Sequence, residues 1–283
     1  MKEVTTAFIV LTYNNPGNLL KVLQGLADQC DERHEIIIAD DGSTAESIAR
    51  VGAGLPKFNC RVTHVWHPDS GFTISRARNL AVASSSADYL VFMDGDCIPN
   101  RHFVQGHEYL AERGCFVNGS RVLLSERLSA SVLAGNTDVV HATWVTWIKW
   151  RFQGDSNKIV HLVRVPDIKM RREKRFRWKQ IRGCNLAVWK EDYILVNGFD
   201  ESFEGWGHED ADFVLRLHNS GRQRKNGFCA TEVYHLWHKE NSRSNESVNR
   251  DRVTLRLNSG VIRATEGIDN PLMANDAVVR VIN

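Results

Sequence analysis

The chain has 283 residues, 42% of them hydrophobic, and its 36 basic and 34 acidic side chains leave a formal net charge of +2. That length suits one large α/β domain or two small ones and is ample for a real core, so disorder is not indicated. A near-neutral balance also argues against a polycation that seeks nucleic acid, and leaves charge to act locally.

Residues 4–13 read as a buried strand, followed by Pro16-Gly17 and the helical spacing of Leu19, Leu20, Leu23 and Leu26. A second strand at 35–39 runs into Asp40-Asp41-Gly42-Ser43. A helix near 45–51, a strand at 61–66, a helix from about 73 to 84 and an apolar run ending in Asp94-Gly95-Asp96 follow. This β-α-β-α-β-α-β order predicts an α/β fold with a mostly parallel central sheet and helices on both faces. Another strand is expected at 115–120. From about 125 to 182 the order is unclear, and Lys169, Arg171, Arg172, Lys174, Arg175, Arg177, Lys179 and Arg182 alternate with Trp144, Trp147, Trp150, Phe176 and Trp178. That mixture suits anionic lipid heads, a charged saccharide or a nucleotide diphosphate, or else a solvated loop with a few buried tryptophans. Strands near 184–189 and 228–234 and a helix over 209–219 complete the reading, with Asp212 expected to cap that helix or pair with Arg216. The tail from about 256 has no chemistry of its own and suits a short helix or self-association.

Six cysteines are scattered without a Cys-x-x-Cys pair, which argues against a zinc ribbon and for reduced core thiols. No secretory leader opens the sequence and no stretch reaches the ~20 apolar residues of a membrane span. The expectation is a cytoplasmic protein whose membrane contact, if any, is peripheral and at the inner face.

Four polar strand ends, Thr12-Tyr13-Asn14, Asp40-Asp41, Asp94-Asp96 and His235-His238, should meet on one rim, where open α/β sheets bind ligands. An Asp-x-Asp there holds a diphosphate through a hard divalent ion, or is a solvated turn. His235 and His238 suit a borderline metal such as Mn²⁺, or a structural role. Glu209-Asp210 opens a helix, where acids also stabilise the dipole, but that alone leaves the preceding Gly205-Trp206-Gly207 unexplained. Neither Gly-x-x-x-x-Gly-Lys-Ser/Thr nor Gly-x-Gly-x-x-Gly is present.

Together these pieces resemble a family 2 nucleotide-sugar glycosyltransferase of the GT-A fold. The matching blocks are Ile9 to Asn14, Ile36 to Ser43, Gly71 through Arg78-Asn79, and Val91 to Asp96. Gly198-Phe199-Asp200-Glu201 through Gly205 to Asp210 resembles the carboxyl-terminal half of β-1,4-galactosyltransferases and chondroitin-polymerase-type transferases. The resemblance covers roughly 4–122 and 182–240. It implies a donor-binding half at 1–122, a variable basic and tryptophan-containing acceptor-side segment at 123–182, a catalytic half at 183–255 and a tail at 256–283.

By the same resemblance Tyr13 and Asp41 contact the nucleotide base, with Thr12 and Asn14 beside them. Arg78 lies near base or diphosphate, Asp94 near the ribose, and Asp96 on Mn²⁺ or Mg²⁺, with His238 and His235 completing the metal site. Trp206 faces sugar, Asp210 is the general base and Glu209 holds the acceptor. The implied reaction inverts the anomeric carbon of a hexose or N-acetylhexosamine carried by a nucleotide diphosphate, by resemblance UDP. The acceptor is a saccharide or lipid-linked glycan at the cell surface, and the basic segment is expected to face it or an anionic membrane. A retaining transferase, a sugar-phosphate nucleotidyltransferase and a glycan- or membrane-binding module are the alternatives. His208 stands where β-1,4-galactosyltransferases have a further glycine, so donor contacts differ there.

Overall fold

The computed structural model describes residues 4–173, 176, 181–239, 245–270 and 275–283. In chain order the amino-terminal half contains β1 (Thr6–Thr12), α1 (Pro16–Ala27), β2 (His34–Asp40), α2 (Ala45–Gly54), β3 (Arg61–Trp66), α3 (Ile74–Ser84), β4 (Tyr89–Asp94) and β5 (Cys97–Pro99). It continues through α4 (Phe103–Leu110), β6 (Cys115–Asn118), β7 (Ser120–Leu123), α5 (Glu126–Leu133), α6 (Trp144–Phe152) and β8 (Arg172–Glu173). The remainder is β9 (Asn185–Trp189), α7 (Lys190–Leu195), α8 (Glu209–Asn219), β10 (Gln223–Asn226), β11 (Glu232–His235), α9 (Glu246–Arg256) and β12 (Val278–Val281).

The large sheet runs β12-β3-β2-β1-β4-β9-β6-β10-β8. Its first half is the expected parallel unit, because β1 pairs in parallel with both β2 and β4, and β2 with β3. These strands are apolar at nearly every position because both faces are covered. Phe8, Val10, Ile36 and Ile38 pack with Leu19, Val22 and Leu23 of α1, whereas Ala7, Ile9, Ile37 and Ala39 pack with Ala77, Leu80 and Ala81 of α3.

Beyond β4 the sheet is mixed. Strand β9 lies antiparallel to β4 and to β6, and β8 antiparallel to β10. A strand that returns after an excursion of some sixty residues is not bound by the handed crossover that keeps consecutive βαβ strands parallel. The expected last strand over 228–234 is Glu232–His235, and β10, with sequence Gln-Arg-Lys-Asn, has no apolar pattern at all. Lys225 of β10 is nonetheless fully buried, with its Nζ donating to Glu112 Oε2 at 2.8 Å and Asp167 Oδ2 at 2.7 Å. Residues 278–281 of the tail pair antiparallel with the edge strand β3 rather than forming a short helix.

A smaller sheet, β5-β11-β7, stands beside the rim. Strand β5 begins right after Asp96, and antiparallel pairing with β11 puts His235 opposite Cys97. Among the described residues no helix is long and apolar enough to cross a membrane.

Candidate active site

Strands β1, β2 and β4 are neighbours in register, so Thr12, Asp40 and Asp94 end on one rim. Between them Gly95 is required by close approach: a Cβ there would lie 2.7 Å from the Leu11 carbonyl oxygen, which already accepts the Gly95 N–H at 2.7 Å. At the end of β1 Thr12 is buried and Tyr13 beyond it is half exposed, its hydroxyl donating to Asp69 Oδ2 at 2.8 Å. Asn14 adopts φ +47°, which asparagine tolerates better than most residues. Its N–H donates to Ser43 Oγ and its Oδ1 accepts from the Thr44 N–H, stitching the loops after β1 and β2 together. The Asp41 carboxylate is buried and accepts from the N–H and hydroxyl of Thr73 at 3.1 and 2.7 Å.

Arg78 of α3 joins the two acidic clusters. Its Nη2 lies 3.4 Å from Asp94 Oδ1 and its Nη1 3.2 Å from Glu209 Oε1. Burial opposes the guanidinium charge, but Glu209 and Asp94 outweigh it and its pKa is raised. The next residue, Asn79, donates to the Phe199 carbonyl and to Glu201 Oε1, so α3 also clamps the Gly198 to Glu201 turn. Burial pushes the Asp94 carboxyl up to about 6, with Arg78 pulling the other way and Asp96 adding to the rise. Glu209, also buried, is pushed up to about 7 by desolvation and by Asp210, against Arg78.

Asp210 is more accessible than Glu209. Its Oδ2 accepts the Gly183 N–H and its Oδ1 the Ala211 N–H, both at 2.7 Å. Sequence reading missed Gly183, although a Cβ there would lie 3.2 Å from Asp210 Cβ and 3.4 Å from Arg78 Nη2. The one available signal was a glycine closing the basic segment. Before α8 the backbone turns sharply around Trp206, since Gly205, Gly207 and His208 take φ of +74°, +103° and +72°. The histidine thus adopts a conformation that favours glycine, the residue expected there in β-1,4-galactosyltransferases. Asp212 has the structural role expected, pairing with Arg216 at 2.8 Å and with Arg256 at 2.7 Å.

Asp96 faces the histidines. His238 Nε2 lies 3.2 Å from Asp96 Oδ2 and His235 Nε2 3.8 Å from Asp96 Oδ1. His238 Nδ1 lies 2.9 Å from the Lys239 carbonyl, an acceptor, so Nδ1–H donates and Nε2 is left to face the carboxylate. A lone pair against a carboxylate at that distance calls for a second proton or a cation between them. Burial lowers the His235 pKa and favours the neutral, ligating imidazole. Cys97 completes a group with Asp96 and His235 whose donor atoms lie within 4.8 Å of one another, but burial pushes its thiol well up and keeps it protonated. Carboxylate with imidazole is a donor set that fits Mn²⁺ better than Mg²⁺. Arg121 of β7 also went unnoticed in the sequence; its charge favours the ionised form of Asp94.

Residues 7–178 match the model of Glycosyl transferase family 2. The chain belongs to this family. Residues 167–239 of this family 2 glycosyltransferase also match the model described as the N-terminal domain of galactosyltransferase. A chondroitin synthase of Escherichia coli is 26% identical over 231 residues, 76% of this chain, which spans only 32% of that relative's length. Among solved structures, the mannosyltransferase PcManGT from Pyrobaculum calidifontis in complex with GDP-Man and Mn²⁺ aligns with a TM-score of 0.56 at 14% identity, covering 96% of this chain and 69% of that one. S. aureus TarS 1-349 in complex with UDP-GlcNAc aligns with a TM-score of 0.60 at 14% identity, covering 92% and 67%. These likenesses establish the GT-A fold. Family membership supersedes the nucleotidyltransferase and binding-module readings.

Proposed function

We propose that this glycosyltransferase is metal-dependent and inverting, and moves a hexose or N-acetylhexosamine from a UDP-sugar to a hydroxyl of a saccharide acceptor in cell-surface glycan synthesis. The observation that carries the reading is the approach of Asp96, His235 and His238, from β4–β5 and β11, beside a carboxylate pair whose Glu209 is tied by Arg78 to Asp94. Asp96, His238 and His235 would hold Mn²⁺, which when bound supplies charge neutralisation at the leaving diphosphate. Thr12, Tyr13, Asn14 and Asp41 form the wall for the base, and Asp94 sits at the ribose. Trp206, presented by its two glycines, faces the sugar. Six unpaired, buried cysteines support a cytoplasmic location.

In the chemical step Asp210 takes the proton of the attacking hydroxyl as the new C–O bond forms at the anomeric carbon. The bond from that carbon to the diphosphate oxygen breaks on the opposite side, which inverts the centre. Asp210 suits this task because backbone N–H groups orient it and its neighbour does not shield it. Glu209, already held by Arg78, orients the acceptor. The test is turnover of UDP-sugars with and without Mn²⁺, for wild type, Asp96→Ala and Asp210→Asn. Each variant should lose about 10²–10⁴-fold in kcat, and product NMR should find the inverted anomer. Equal activity in all three proteins would refute the assignments, and a retained anomer would refute the single displacement.

A further inference from the structure

The basic segment expected to meet acceptor or membrane is partly structural. Arg171 is buried and donates to the carbonyls of Pro166, Asn226 and Phe228, and Arg172 pairs with Glu112. Lys174, Arg175, Arg177, Trp178 and Lys179 lie outside the described residues. A different part of the same segment, helix α6, has the required chemistry.

Helix α6 has two apolar sides and only one is used inside the fold. At about 100° per residue, Trp147 and Trp150 share one side. Trp147 is 1% exposed and stacks on Tyr234 with ring centroids 4.9 Å apart. Trp144, Val145, Ile148 and Phe152 fall within an arc of roughly 100° on the other side. Trp144 is 65% exposed, Val145 56% and Phe152 88%. Exposed Lys149 and Arg151 fall at the two margins of that arc, and residues 139–154 include no acidic side chain. Water-facing helices avoid such a concentration of exposed rings.

We propose that this side of α6 docks the enzyme on an anionic lipid bilayer. Trp144 and Phe152 enter the headgroup region while Lys149 and Arg151 meet lipid phosphates, the pattern of interfacial helices. Charge selects this occupant. A second copy of the chain, related by a two-fold axis, would bring the same two cations against themselves. The docked side also bears on the active site, because the opposite side of α6 rests on Tyr234, the residue before His235. About one helix diameter, ~10 Å, then separates lipid from the metal-ligand strand. A lipid-linked acceptor would reach Asp210 without leaving the membrane; only that consequence rests on the proposed function.

Co-sedimentation with phosphatidylcholine vesicles, with and without phosphatidylglycerol, tests the docking. Wild type should bind the anionic vesicles, and Lys149→Gln with Arg151→Gln should weaken partition about fivefold per residue. Trp144→Ser with Phe152→Ser should weaken it about tenfold or more. Circular dichroism and hydrolysis of UDP-sugar in solution should be unchanged in both double variants, so loss of docking is separable from loss of chemistry. The proposal is overturned if wild type does not sediment, or if the aromatic pair is dispensable. It is equally overturned if ultracentrifugation finds a wild-type dimer that the aromatic substitutions dissociate.

Discussion

At the scale of single residues, the division of labour turns on Arg78. Its guanidinium sits between the last carboxylate of β4 and the first of α8, so the two acidic clusters share one buried cation. That burial leaves Glu209 with a pKa pushed up to about 7 from the usual carboxylate range. A carboxyl whose folded pKa is raised binds its proton more tightly when folded. It therefore adds stability at low pH, and that contribution is lost as pH rises from the unfolded value through about 7. For the metal-free protein we expect the Tm of Glu209→Gln relative to wild type to shift by about 2–4 °C in the variant's favour between pH 5 and pH 8. Thermal scans of both proteins at the two pH values measure it, and an unchanged difference would refute the raised pKa of Glu209.

At the scale of elements, α8 is held by charges that do no chemistry. Asp212 and Arg216 are fully buried, and Arg216 Nη1 also donates to the carbonyls of Val196 and Gly198. Arg256 of α9 reaches Asp212 at 2.7 Å and Asp200 at 2.9 Å, closing α9 over α8. Removing Arg216 leaves buried Asp212 with Arg256 alone and strips the Val196 and Gly198 carbonyls of their donor, so Arg216→Met should cost about 3–5 kcal/mol. Urea unfolding reads that loss, while Mn²⁺ affinity at 25 °C should be unaltered in the fraction that remains folded. Loss of metal binding without loss of stability would instead put Arg216 in the site. The i, i+4 spacing made the Asp212–Arg216 pair legible in the sequence, whereas Arg256 and Asp200 are joined only through packing.

For the whole molecule, the carboxyl-terminal strand supports the parallel half of the large sheet. Strand β12 covers the edge of β3, and Arg280 and Ile282 help to line a cavity of about 230 Å³ with Thr12, Asp40, Ser43 and His64. Deleting residues 278–283 should lower stability by about 1–3 kcal/mol and weaken UDP binding, measured by denaturant unfolding and calorimetry. Full retention of both would make the strand an ornament of the edge. Much of this architecture was legible beforehand. The parallel unit β3-β2-β1-β4 follows from apolar runs separated by helical spacing, because both faces of such a sheet must be covered. The rim residues follow from where those runs end. What sequence reading could not supply has one cause: local patterns carry no information about distant partners. Strand β10 was missed because Gln223-Arg224-Lys225-Asn226 carries no apolar pattern, yet Glu112 and Asp167 neutralise Lys225 in the interior. The antiparallel entry of β9, the tail on β3 and the exposed rings of α6 were decided only by tertiary packing. Likewise Asp94-Gly95-Asp96 and Glu209-Asp210 were visible as two acidic clusters. Their union into one site required Arg78 to be buried between them and β11 to return beside β5.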